Sequence, residues 1–291
     1  MDSESLKIFC AVAAELSITH AASRLGRVPS NVTTRVRQLE AELGVDLFVR
    51  TGKRLSLSSA GEHFLQYANR WLLLEQEARH AVGGNSDGGV LRLGSMESTA
   101  ASRLPTLLSS LHHYHPDTQL ELATGVSRQL LEGVRTGRLD CAFIALPPTF
   151  EDVAVLTELG LQATRAWHEQ LELLIPASES SKKGIIGLAS RQLAAFGQGC
   201  VYRSIAEELL GTAGSPEWTV TEMSSCHGLI AAVAAGSAVA LLPTNVIRNA
   251  TLPAGLKTLP AGGVDTFLVS RKGYGIPAFQ HLMAQLEDTE E

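Results

Sequence analysis

No apolar run in this chain approaches the ~20 residues that a membrane helix requires; the longest, 231–243, is too short, and no secretory signal precedes the first amphipathic segment. Cysteine is scarce. Cys10, Cys141, Cys200 and Cys226 stand apart with no metal-ligand spacing, so reduced thiols are expected. A P-loop, a G-x-G-x-x-G fingerprint and a G-x-S-x-G elbow are all missing; Gly125-Val126-Ser127-Arg128-Gln129 has a serine but lacks the second glycine. His112-His113-x-His115 is the nearest approach to a metal cluster, but it sits at a predicted helix end, where histidines favourably face the helix dipole. Cys226 and His227 are neighbours in the chain, and adjacent helical residues do not face each other. No metal, no cofactor and no enzymatic activity are expected. Positive charge is also in short supply: 24 Lys/Arg against 30 Asp/Glu give a net charge of −6, which at first argues against a nucleic-acid partner.

The distribution of that charge reverses the argument. Residues 1–83 hold 10 basic and 9 acidic side chains, a net of +1, and the remainder holds 14 and 21, a net of −7. Residues 24–54 alone hold seven basic and three acidic, a net of +4. The basic charge is local, on a chain of 291 residues long enough for two or three domains with real cores.

Within this basic stretch, residues 17–42 read as two short helices joined by a tight turn. Ile18, Ala21, Ala22 and Leu25 recur at helical spacing; Gly26 can adopt the left-handed conformation that ends a helix, and Pro29 suits the first turn of the next. Val32, Val36, Leu39 and Leu43 form the buried stripe of that second helix. Its other face carries Ser30, Asn31, Thr33, Thr34, Arg35 and Arg37, side chains able to meet base edges or phosphates. An upstream helix offers Leu6, Phe9, Val12, Ala13 and Leu16 for packing. Residues 47–57 read as a β-hairpin turning at Gly52, with Arg50, Lys53 and Arg54 at its tip, a wing that lays charge on the DNA backbone or minor groove.

These residues resemble the LysR-type transcriptional regulators. The likeness runs through Phe9-x-Ala11-Val12-Ala13, Ala21-Ala22-x-x-Leu25, Val32-Thr33-x-Arg35-Val36-Arg37-x-Leu39-Glu40, Leu43-Gly44-x-x-Leu47-Phe48-x-Arg50 and Leu57-Ser58-x-Ala60-Gly61, covering residues 1 to about 83. Many members carry Ser-Gln-Pro before the recognition helix and Ser-Arg within it. This chain has Val28-Pro29-Ser30 and Thr33-Thr34, so its operator need not follow theirs.

Residues 59–82 read as one long helix, apolar on more than one side through Phe64, Leu65, Ala68, Trp71, Leu72, Leu73, Leu74 and Ala78. One domain covers one side; the surplus points to a partner helix from a second subunit. The glycine-rich run 83–89 is a linker by composition.

Strand and helix patterns then alternate: strands at 90–95, 119–124 and 140–146 and helices at 99–114 and 127–136 make a first lobe. A second set has strands near 171–175, 193–196, 218–222, 239–242 and 257–259 and helices near 202–210 and 226–235. Crossovers fall near 153–162 and 264–271, and strand 266–270 with helix 277–286 would return to the first lobe. Such alternation implies parallel sheets with helices on both faces.

The expected fold class is therefore α/β: an N-terminal winged helix-turn-helix at 1–58, a linker and dimerisation helix at 59–83, a flexible linker at 84–89, and a two-lobed, periplasmic-binding-protein-like effector domain at 90–291. Lobe I spans about 90–161 and 265–291, lobe II about 162–264.

Ligands of open parallel sheets sit beyond the carboxyl ends of the strands. Those ends supply Glu97, Ser98, Thr99, Thr124, Ser127, Gln198, Tyr202, Glu222, Ser225 and His227 as candidate effector contacts. Each segment opens a helix and presents free N–H groups; the bland alternative is that its serines and threonines are N-caps. The body also resembles the family's effector domain, through Gly137-Arg138-Leu139-Asp140-Cys141-Ala142-Phe143 and Ala235-Gly236-x-x-Val239-Ala240-Leu241-Leu242-Pro243. Within the family it looks most like the branch of the putrescine-utilisation regulator, on Arg27-Val28-Pro29-Ser30-Asn31, Gly94-Ser95-x-Glu97-Ser98-Thr99-Ala100-Ala101, Cys200-x-Tyr202-Arg203 and Glu222-Met223-Ser224-Ser225-x-His227-Gly228.

Glu97 and Glu222 at a cleft mouth suit an amine or diamine; Arg128 and Arg203, with the helix N-termini, suit a carboxylate. Arg203 is also the cation placed to pair with Glu97 across the cleft. The expectation is a cytoplasmic, ligand-responsive regulator, with double-stranded operator DNA and a small-molecule effector as partners and no membrane. The resemblance further implies a tetramer of two dimers and contact with RNA polymerase. The competing class is a small-molecule receptor or enzyme whose N-terminal helices serve only in assembly.

Overall fold

The computed structural model describes residues 1–51, 54–83, 89–146, 154–179, 184–212 and 215–287. The chain divides into two compact units, Met1–Ser86, with which the short segment Thr136–Arg138 groups, and the rest.

The first unit opens with α1 (Ser3–Glu15), α2 (Ile18–Arg24) and α3 (Pro29–Leu43). Each start has a local cause: Asp2 accepts the Ser5 N–H at 2.7 Å, Ser17 caps α2 through the His20 N–H, and Pro29 needs no donor in the first turn of α3. Gly26 adopts φ +64° between α2 and α3, the left-handed turn that a side chain would strain. Ile8, Ala11, Val12, Ala21, Ala22, Val32 and Val36 form one buried cluster; Leu6, Phe9, Leu39, Leu47 and Ala68 form a second. Phe9 anchors the second, with the rings of Phe48 and Phe64 at 5.5 and 5.2 Å.

The antiparallel hairpin of β1 (Phe48–Thr51) and β2 (Arg54–Leu57) follows, pairing Phe48 with Leu57 and Thr51 with Arg54. Glu40 on α3 accepts the N–H groups of Leu47 (2.8 Å) and Phe48 (3.1 Å), tying helix to hairpin. The unit ends in α4 (Ser59–Gly83), whose Phe64, Leu65, Ala68 and Leu72 pack on the second cluster while Tyr67, Trp71 and Leu74 remain exposed.

In the second unit, β3 (Gly89–Ser95), β4 (Thr118–Thr124) and β5 (Cys141–Ala145) join β6 (Leu161–Ile175), β9 (Ala240–Pro243) and β10 (Lys257–Arg271) in one six-stranded sheet ordered β4-β3-β5-β10-β6-β9. A separate parallel pair, β7 (Gln192–Ala195) and β8 (Thr219–Glu222), touches this framework through the Leu193–Val239 bridge. The helices are α5 (Glu97–Ser102), α6 (Leu104–Tyr114), α7 (Ser127–Arg135), α8 (Ala154–Glu158), α9 (Val201–Leu210), α10 (Cys226–Ala234), α11 (Thr244–Asn249) and α12 (Pro277–Glu287).

Four features differ from the sequence reading. The lobe-to-lobe strands β6 and β10, fifteen residues each, run in opposite senses and pair antiparallel, so the sheet is mixed rather than all parallel. Strands expected separately at 257–259 and 266–270 are one strand, because Gly262-Gly263 makes a bulge rather than a break. The helix expected over 99–114 is two, α5 and α6, broken at Arg103 because Pro105 cannot donate within a continuous helix. Helix α11 was not anticipated: its six polar-rich residues are too few to show periodicity. The last helix, α12, packs its Phe279, Leu282 and Leu286 with Leu104, Leu107 and Leu111 of α6.

Candidate functional sites

The exposed face of α3 presents Ser30, Asn31, Thr34 and Arg37. Thr33 is half-buried and its hydroxyl donates to the Pro29 carbonyl at 2.9 Å, the local back-bonding of a mid-helix threonine. Arg35 faces Asp2 at 3.5 Å. Gln38 is exposed one turn beyond Thr34 and extends the same face; the i, i+4 spacing was there to find it. Arg27 pairs with Glu4 and Arg24 with Glu15 (3.2 Å), whereas among the described residues Arg37 and Arg54 have no carboxylate partner. Arg54 is exposed on β2 and Arg50 lies on β1; Lys53 and the turn at Gly52 fall outside the described residues, as does the Arg50 side chain.

The second unit contains a cleft of about 600 Å³ at the carboxyl ends of β3, β4, β7 and β8. Six of the ten expected contacts line it: Glu97, Ser98, Thr124, Gln198, Tyr202 and Glu222. They are joined by Met96, Gly125, Val126, Gln129, Phe196, Gly197, Cys200, Met223 and Ser224. The other four lie elsewhere, each for a local reason. Thr99 is buried on α5. Ser127 is buried, its hydroxyl donating to the Met96 sulfur at 3.3 Å. Ser225 is the N-cap of α10, accepting the Gly228 N–H at 3.1 Å, and His227 is exposed on that helix away from the lining. Gln129, a turn into α7, lay beyond the strand-end segments that the sequence points to.

Glu97 does not pair with Arg203. Its Oε2 accepts the N–H of Cys226, the first residue of α10, at 3.0 Å, so the carboxylate sits at the positive end of that helix. Arg203 instead donates to Glu207 (2.8 Å) and Glu222 (2.6 Å), both nearer along its own lobe. Across the cleft the Arg128 N–H meets the Gly199 carbonyl at 3.4 Å; Gly199 has φ +92° and a Cβ there would stand 3.0 Å from the Arg128 Cβ.

Of the lining residues, Tyr202 is almost fully buried. Burial, and then the negative charge of Glu169, push its hydroxyl well above the usual phenol range. That hydroxyl lies near those of Ser98 and Thr266 but makes no well-formed hydrogen bond. Glu169 is held by Arg103 at 2.8 Å and Asn245 at 3.3 Å. All four cysteines are free. Burial, then the hydrogen bond to Glu97, raise the Cys226 thiol far above its ordinary range, and burial alone raises Cys10 to about 12, so neither is a poised nucleophile. Among the described residues no group of three or more His, Cys, Asp or Glu could hold a metal, and the rings of His115 and His281 stack on each other at 3.5 Å. No described helix is long and apolar enough to cross a membrane.

A helix-turn-helix with a hairpin wing and a separate two-lobed body with a small-molecule cleft define a ligand-responsive DNA-binding regulator. Residues 3–62 match the bacterial regulatory helix-turn-helix protein, lysR family, and residues 84–290 match the LysR substrate binding domain. The chain belongs to the LysR family: it is a LysR-type DNA-binding transcriptional regulator with an effector-binding domain, and not an enzyme. It is 34% identical over 261 residues to the HTH-type transcriptional regulator YusT of Bacillus subtilis, spanning 89% of this chain and 85% of that one. To GltR of the same organism it is 32% identical over 250 residues, 86% and 82% of the two chains. The fold is similar to full-length OxyR from Pseudomonas aeruginosa (TM-score 0.75, 23% identity, 99% of this chain and 95% of that). It is also similar to full-length CbnR crystallised with its target DNA (TM-score 0.65, 23% identity, 99% and 100%).

Proposed function

We propose that this regulator senses a small amine, and reads its operator through the exposed face of α3. The observation that carries the ligand reading is the charge of the cleft: the described lining includes Glu97 and Glu222 and no lysine, arginine or histidine. The carboxylate alternative is weakened by the same geometry. The N-terminus of α10, the natural anion seat, is already filled by Glu97, and Arg203 is engaged by two carboxylates. Likeness to the branch of the putrescine-utilisation regulator points the same way and makes a diamine the first compound to test.

On the DNA side, Ser30, Asn31, Thr34 and Arg37, with Gln38, are the reading face; Arg54, with Arg50 and Lys53 of the wing, meets phosphates. Two copies pair through α4, where Tyr67 (60% exposed), Trp71 (50%) and Leu74 (66%) form an uncovered apolar face. A paired reader fits a partly palindromic site, and the ligand acts by favouring one arrangement of the assembly over another. Such a protein works beside the chromosome in the cytoplasm, with a second dimer and RNA polymerase as further partners.

Calorimetric titration with putrescine tests the ligand reading. The wild-type chain should bind, and Glu97→Gln should lose the heat of binding. Equal binding by both proteins removes Glu97 as the counter-ion and the amine reading with it.

A further inference from the structure

We propose that Asp2 and Glu4 compete with DNA phosphates for Arg35 and Arg27, holding down the affinity of the first unit for DNA. Both acids stand at the start of α1: Asp2 is its N-cap and Glu4 lies in its first turn, where the helix dipole favours negative charge. From there their carboxylates reach the DNA-facing motif. Asp2 Oδ2 faces Arg35 Nη1 on α3 at 3.5 Å. Glu4 Oε1 accepts from Arg27, which lies in the turn before α3 and also approaches Asn31 Oδ1 at 3.5 Å. The guanidinium donors that grip a carboxylate are those that grip a phosphate.

All four side chains are solvent-accessible, so these are weak, salt-screened pairs that an incoming polyanion can displace. The hydrogen bond from the Ser5 N–H, followed by smaller contributions that include Arg35, holds the Asp2 carboxyl below its ordinary value, so it remains a charged competitor at neutral pH. Among the described residues Arg37 has no such partner. Arg37 is therefore open to DNA, whereas Arg27 and Arg35 are conditional, and a duplex engages these two only after the acids have been displaced.

The inference rests on α3 being the DNA-facing helix, and the experiment separates the two. A labelled duplex from the DNA upstream of the protein's own gene is titrated, by fluorescence anisotropy, with the full chain and with Asp2→Asn, Glu4→Gln, Arg37→Gln, Arg35→Gln and the Asp2→Asn/Arg35→Gln pair. Asparagine keeps the cap of α1, and thermal unfolding confirms that each variant is folded. At about 0.05 M salt, Asp2→Asn and Glu4→Gln should each bind about twofold to fivefold tighter, and the gain should shrink at about 0.2 M.

Asp2→Asn should gain nothing when Arg35 is already glutamine. Unchanged or weaker binding by the acid variants overturns the proposal and makes Asp2 and Glu4 supports that orient the arginines. An equal gain with Arg35 absent also overturns it, leaving only a change in net charge. If Arg37→Gln binds as tightly as wild type, the reading of α3 itself fails.

Discussion

On α2, α3 and the turn between them the cations Arg24, Arg27 and Arg35 each face a carboxylate of their own unit, and among the described residues Arg37 faces none. In the cleft the roles are exchanged: Glu97 and Glu222 line the cavity, and the nearby cation Arg203 is tied to Glu207 and Glu222. The two regions thus carry charge of opposite sign, though the chain's net charge is only −6. They also differ in how firmly that charge is held. The arginine pairs are surface contacts that a ligand can exchange, whereas Glu97 is half-buried and anchored to a backbone N–H at a helix end. On the proposals above, the surface pairs would tune affinity for DNA and the anchored carboxylate would select the ligand.

Unfolding one region and not the other should have the largest effect. Phe9 is fully buried against Phe48 and Phe64, so Phe9→Ala should cost about 3–5 kcal/mol. Thermal unfolding should then show the first unit melting early, with DNA binding lost and diamine binding retained; loss of both functions together denies that the two regions are separable. Gly199→Ala is a gentler probe of the cleft. A side chain at φ +92°, meeting Arg128 at 3.0 Å, should cost about 1–3 kcal/mol and weaken diamine binding without touching DNA affinity at low ligand.

The smallest effect belongs to Asp2. A carboxyl whose folded pKa is lowered stabilises the folded state above its unfolded value, 3.8, and that contribution is lost as pH falls through the lowered folded value. Asp2→Ala should therefore narrow the gap in melting temperature between neutral and strongly acidic solution by a small, measurable amount, and an identical pH profile would show the cap to be silent.

How much of this was legible in the residues alone follows from where each signal lives. The first unit was readable because its causes are local: Gly26, Pro29 and the apolar stripe of Val32, Val36 and Leu39 each act within a turn or two of chain. The cleft was readable only at the level of segments. Strand ends at 95–99, 124–127, 197–203 and 223–227 could be named, but which side chain turns inward depends on packing between lobes. Ser225 and Ser127 looked like ligand contacts and are instead a cap and a buried donor, the alternative that short hydroxyl side chains always carry. The Glu97–Arg203 pairing failed for a related reason. Two carboxylates on Arg203's own lobe outcompete a third across the cleft, and Glu97 finds a helix N-terminus that sequence spacing does not reveal. The long strands β6 and β10 were hidden because their middles carry exposed or half-exposed polar residues, as at Arg165, His168 and Asp265, which interrupt the apolar pattern.

The most direct test joins the two regions in one titration: anisotropy of the upstream duplex with the wild-type chain and with Glu97→Gln, each with and without putrescine. Putrescine should shift the binding curve or the final anisotropy of the wild-type complex and leave the Glu97→Gln complex unchanged. The same response from both proteins, or none from the wild type, would contradict the amine reading.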